Sequence, residues 1–124
     1  MHAAVRLYIL FLGVYELLGI AKLISSISSQ NPVCPAKSLG NTVNNPSEKR
    51  VWTFVLSMLA ISRFVAVAWP SSPAALANLA IIHVAEAIFI VCEKLCFYSK
   101  GPAPAVAFVV ANGVGFGVLA VLRV

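Results

Sequence analysis

Four residues stand out for the chemistry their type and place allow: Glu16, Arg63, His83 and Glu86 each lie inside an otherwise apolar run. An ionisable side chain costs a few kcal/mol at the centre of a bilayer, so each must face protein, water or a partner. His83 and Glu86 are three residues apart, on one face of a helix, and Glu93, seven further on, extends the same stripe. A stripe of His and Glu suits a proton path or a metal centre. A di-metal helical bundle, however, takes paired Glu-x-x-His motifs from two helices, and this chain has the reversed order His83-x-x-Glu86 once. No metal and no cofactor are expected. A polar network that fixes helix packing or docks another subunit is the favoured reading, because interhelical hydrogen bonds hold membrane helices together. No serine or cysteine is placed with a histidine as nucleophile and base, so no catalytic residue and no small-molecule substrate are expected.

These residues must be positioned by membrane-spanning helices. Of 124 residues 60% are hydrophobic and only 10% charged, against about 25% in a soluble domain. Mean hydropathy is +0.94, and such a chain cannot cover its surface with polar groups in water. The apolar runs predict spans over about 4–24, 51–69, 74–98 and 103–122, with a polar loop over 25–50. The expected fold is an all-α, integral membrane four-helix transmembrane bundle forming a single membrane domain over 1–124. At 124 residues no soluble catalytic domain is expected beside the spans. The first apolar run contains Glu16 and lacks a clear cleavage site, so it is expected to stay as a span and not act as a removed targeting segment.

Counted from the span ends nearest the chain termini, Glu16 and Glu86 lie about 18 Å deep and Arg63 about 9 Å. The Arg63 stem can then reach either carboxylate or snorkel to the surface. Trp52 and Trp69 bracket the second span, as interfacial indoles do. Ser72 followed by Pro73 supplies an N-cap and first helical residue for the third, and Lys100-Gly101-Pro102 ends it. In the fourth span Ala107, Ala111 and Gly115, together with Gly113 and Gly117, form small-residue surfaces for close helix packing.

Net charge is +5, from nine Lys and Arg against four acidic residues. The basic residues flank apolar runs, which points to anionic phospholipid and away from nucleic acid. Lys49, Arg50, Trp52, Trp69 and Lys100 are the expected headgroup or interface anchors. Lys22, Lys37, Lys49, Arg50, Lys94 and Lys100 fall on the side of the two loops, while Arg6, Arg123 and Arg63 fall towards the other. The positive-inside rule turns the loops to the cytoplasm or matrix. Cys34, Cys92 and Cys96 form no disulfide or zinc pattern.

Arg50-Val51-Trp52-Thr53-Phe54, Ser62-Arg63-Phe64 and Cys92-Glu93-Lys94-Leu95-Cys96-Phe97 place a second Arg thirteen residues after the first and a Glu thirty after that. In this the segment from Arg50 to Phe97 resembles the ergosterol biosynthetic protein 28 family, small four-span membrane proteins with a polar first loop. Pro104 is similar to the proline before that family's fourth span. The family's Thr-Phe-Gly after the first Arg is Val51-Trp52-Thr53 here, and its His four before the Glu is Phe89. The resemblance implies a non-catalytic scaffold that holds sterol C-4 demethylation enzymes together at the endoplasmic reticulum, with Arg50, Arg63, Glu93 and Pro104 as matched positions. Three readings follow. One is that scaffold, bound to other membrane-protein subunits. The second is an accessory subunit of a respiratory or ATP synthase complex in the mitochondrial inner membrane. The third is a small transporter or proton-path protein using Glu16, His83 and Glu86.

Overall fold

A computed structural model describes residues 1–123 of the chain; Val124 and the side chain of Arg123, one of the charges counted for orientation, lie outside the described part. Four helices follow one another: α1 (Ala3–Ser26), α2 (Pro46–Ala68), α3 (Pro73–Cys96) and α4 (Ala103–Arg123). No strand occurs among the described residues. Each helix contains an 18-residue window with at most two charged residues and a mean hydropathy from 1.9 to 2.3. At 1.5 Å per residue the helices are about 31 to 36 Å long, enough to cross a hydrocarbon core of about 30 Å. Large apolar side chains point outward along all four, among them Phe11, Phe54, Ile81, Ile88 and Val114. The chain has the all-α fold of an integral membrane protein.

The ends of these helices follow local chemistry. The His2 Nδ1 accepts from the Ala4 N–H and caps α1. α2 begins five residues before the predicted Val51, and the loop is correspondingly shorter than 25–50. The reason is Asn45-Pro46: the Asn45 side chain accepts the Ser47 N–H at 2.8 Å, Pro46 takes the first turn, and Glu48 faces the positive helix end. One polar turn is thereby added ahead of the apolar run. Ser72 Oγ accepts the Ala75 N–H and caps α3, as its sequence indicates. α3 stops at Cys96 and not Tyr98. Tyr98 is left-handed, with φ of 52°, so that the Ser99 N–H turns back to the Glu93 carbonyl at 3.0 Å.

The chain gathers into two compact units. The first joins Met1–Pro35 to Thr42–Ala75 and is built on α1 and α2. Arg6 meets Val67, Gly13 lies against Phe64, Gly19 against Leu56 and Ser26 against Lys49, so the two helices run antiparallel. Val33 and Val43 exchange both backbone hydrogen bonds, at 3.1 and 2.8 Å, and close the base of the connecting loop.

The second unit joins Ala36–Asn41 to the chain from Leu76 onward. α3 and α4 meet where Gly113 packs on Ala87 and the His83 carbonyl, and Gly117 on Val84. The short 36–41 segment lies against residues 100–101. Gly40 adopts φ of +68° there, and a Cβ on Gly101 would collide with the Ser38 carbonyl oxygen.

The helix contact yields a paired prediction. A Cβ on Gly113 would lie 2.6 Å from that of Ala87, whereas one on Gly115 meets nothing within 4 Å. Gly113→Val should therefore lower stability in detergent by about 2 kcal/mol, and Gly115→Val should leave it unchanged. Thermal unfolding of the two variants, followed by circular dichroism, checks this.

Candidate functional site

The residues singled out for chemistry are distributed over both units: Glu16 and Arg63 in the first, His83, Glu86 and Glu93 in the second. In the first, the Arg63 Nη1 lies 2.6 Å from Glu16 Oε1, with the two side chains 3% and 14% exposed. Of the routes open to Arg63, the structure takes the inward one, to Glu16; the guanidinium does not snorkel. Gly13, one turn before Glu16, leaves room for the Phe64 ring next to Arg63, since a Cβ there would stand 3.0 Å from the ring. The sequence thus brings an acid and a base together across α1 and α2 at a point where the helices approach closely. Removing both charges from water is costly, and direct contact between them offsets that cost.

Three hydroxyls of α2 bond to its own backbone. Thr53 Oγ1 donates to the Lys49 carbonyl at 2.8 Å, Ser57 Oγ to Thr53 at 2.7 Å and Ser62 Oγ to Met58 at 3.0 Å. These hydroxyls can stand in an apolar span because each returns a hydrogen bond four residues back. Their spacing carries that signal in the sequence.

Lys49 corrects an expectation. It is no headgroup anchor: the residue is 0% exposed, and its Nζ donates to the carbonyls of Ser26, Ser29 and Asn31 at 2.7, 3.0 and 2.9 Å. An ammonium has three protons, and here each finds a carbonyl where α1 ends and the loop begins. The added first turn of α2 carries Lys49 to this position. Arg6 does similar work at the opposite end, where its Nη2 donates to the Val67 carbonyl in the last turn of α2 at 3.0 Å. Neither role is visible without the antiparallel register.

In the second unit His83 is 1% exposed, with Nδ1 2.9 Å from the Leu79 carbonyl and its ring 4.3 Å from that of Phe116. A carbonyl only accepts, so Nδ1 carries the proton in this contact. Glu86 and Glu93 are half-buried on the same helix. Lys94 Nζ donates to the Ser99 and Gly101 carbonyls at 3.3 and 2.8 Å and ties down the end of α3. No group of three or more His, Cys, Asp or Glu poised to hold a metal occurs among the described residues.

The small residues of α4 divide between two faces. Gly113 and Gly117 face α3, beside an apolar groove of about 320 Å³ lined by valines and Leu122. Ala107, Ala111 and Gly115 are exposed. Trp69, Arg50, Lys100 and Pro104 are exposed and Trp52 is half-buried; Arg50 also donates to Ser47 Oγ at 3.1 Å. No protein family, curated protein or solved structure matches this chain.

The buried charges generate two predictions. Arg63→Leu strands the Glu16 carboxylate and should destabilise the α1–α2 pair by on the order of 3 kcal/mol, while adding Glu16→Leu should recover most of that loss. Unfolding of the single and double variants by denaturing detergent measures the recovery. Lys49→Met removes one ammonium from three carbonyls and should cost on the order of 2 kcal/mol. Faster proteolysis within residues 27–45 is the readout.

Proposed function

We propose that this chain is a non-catalytic scaffold or accessory subunit that holds a multi-subunit membrane complex together. The observation that carries the reading is the use made of its charges. Arg63 and Glu16 neutralise each other between α1 and α2, Lys49 and Arg6 close backbone carbonyls, and Lys94 closes those after α3. Charge is spent on making a rigid part, and the outer faces left to neighbours are apolar. The exposed Ala107, Ala111 and Gly115 face of α4 is shaped for close approach by another helix.

The partner is the sterol C-4 demethylation machinery of the endoplasmic reticulum, on the resemblance carried by Arg50, Arg63, Glu93 and Pro104. Anionic phospholipid is the expected lipid neighbour of the exposed Lys22, Lys37, Arg50 and Lys100. A respiratory or ATP synthase complex of the mitochondrial inner membrane is the alternative assembly for the same part. A small transporter or proton-path protein would use Glu16, His83 and Glu86; Glu16 contacts Arg63, His83 contacts the Leu79 carbonyl and Glu86 is half-buried, and the first two contacts are accounted for by helix packing.

Native-gel separation of mildly solubilised membranes, with mass spectrometry of every band containing this chain, tests the reading. Co-migration with sterol C-4 enzymes is expected. Co-migration with respiratory or ATP synthase subunits would keep the scaffold role and change the partner. Migration of the chain alone would sink the scaffold reading.

A further inference from the structure

Two thiols stand at the loop-side end of α3. Cys96 is its last residue and Cys92 lies one turn deeper, about 6 Å along the axis. Both are exposed, and at four residues apart they share a face. That face continues into the apolar part of the helix through Ile88 and Phe89, Ala85 and Ile81, all exposed. Beyond the thiols two exposed aromatic residues, Phe97 and Tyr98, precede the basic ones. Lys100 is exposed, and Lys37 is exposed on the 36–41 segment that lies against residues 100–101. Lys94 stands between the cysteines in sequence; Glu93 is the single acid between Ala87 and Gly101. Within one compact unit, therefore, basic side chains, two thiols and an apolar stripe follow one another at the end of a helix long and apolar enough to cross a membrane.

We propose that Cys96, and after it Cys92, is a site of S-acylation whose acyl donor is a long-chain acyl-CoA. The donor has the same order of parts: anionic phosphates for the lysines, a thioester at the boundary and an alkyl chain for the stripe. In the reaction the cysteine sulfur attacks the thioester carbonyl carbon. A new S–C bond forms as the bond from that carbon to the CoA sulfur breaks, and the cysteine proton leaves with the CoA thiol. One thioester replaces another, so no oxidant or reductant is consumed. The attached chain then lies along the exposed face of α3, where it fills surface a neighbouring helix would otherwise cover. The inference rests on the membrane fold and not on the scaffold reading.

The test uses the full chain taken from its native membrane. Thiols are blocked with N-ethylmaleimide, thioesters are opened with hydroxylamine, and the released thiols are tagged and mapped by mass spectrometry. Hydroxylamine-dependent tagging at Cys96, with a smaller share at Cys92 and none at the exposed loop residue Cys34, is expected; Cys96→Ser should remove most of the signal and Cys92→Ser with Cys96→Ser all of it. Absence of such tagging at both positions would overturn the proposal. Equal tagging of Cys34 would overturn it too, because exposure alone would then explain the modification. Tagging that follows reduction but not hydroxylamine would identify a disulfide in its place.

Discussion

Inside a bilayer a charge has no water to turn to, and the first compact unit is organised around that constraint. Arg63 and Glu16 are each expensive alone in an apolar span, but in contact they remove each other's cost and fix which face of α1 meets which face of α2. The pair also sets a register. With Glu16 opposite Arg63, Lys49 falls beside the end of α1 and Arg6 beside the end of α2, where backbone carbonyls lack helical partners. Three basic residues thereby serve one antiparallel contact. None of them requires a ligand to account for its presence.

The second unit solves the problem with less charge. His83 lies in the core of α3 and α4, bonded to a carbonyl of its own helix and covered by Phe116. Close approach comes from Gly113 and Gly117, whose missing side chains admit the α3 backbone and Val84. The 36–41 segment is held against residues 100–101 by equally close backbone contact, with Gly40 in the left-handed region and Gly101 against the Ser38 carbonyl. Shape thus does in this unit what the ion pair does in the other.

Both devices turn polar groups inward and leave apolar side chains outward, which is the distribution a lipid-facing or helix-facing surface requires. A part built this way suits assembly, because rigid apolar faces pack against neighbours without a desolvation cost. The loop-side end of α3 departs from the pattern. There lysines, thiols and apolar residues meet at one boundary, and chemistry at the thiols would change the surface offered to a neighbour.

Much of this fold is legible in composition and spacing. Apolar runs long enough to span a bilayer, and Ser72-Pro73 at a helix start, depend on local preferences that each segment carries with it. So does the early start of α2, since Asn45-Pro46 is a helix-start signal placed ahead of the apolar run and masked by the polar turn that follows. Ionisable residues inside the spans also announce themselves, because their cost in lipid is a property of the residue and its depth. Their partners do not. Arg63 had two carboxylates within reach by depth alone, and depth says nothing of rotation about a helix axis. Lys49 looks like an interfacial anchor until α1 is laid beside it, when three backbone carbonyls appear that belong to no motif. Likewise Gly113 and Gly115 have the same sequence credentials, yet one touches α3 and the other touches nothing. Segment and depth are local quantities, read along the chain; partner and facing depend on how helices pack side by side, and that is settled in three dimensions.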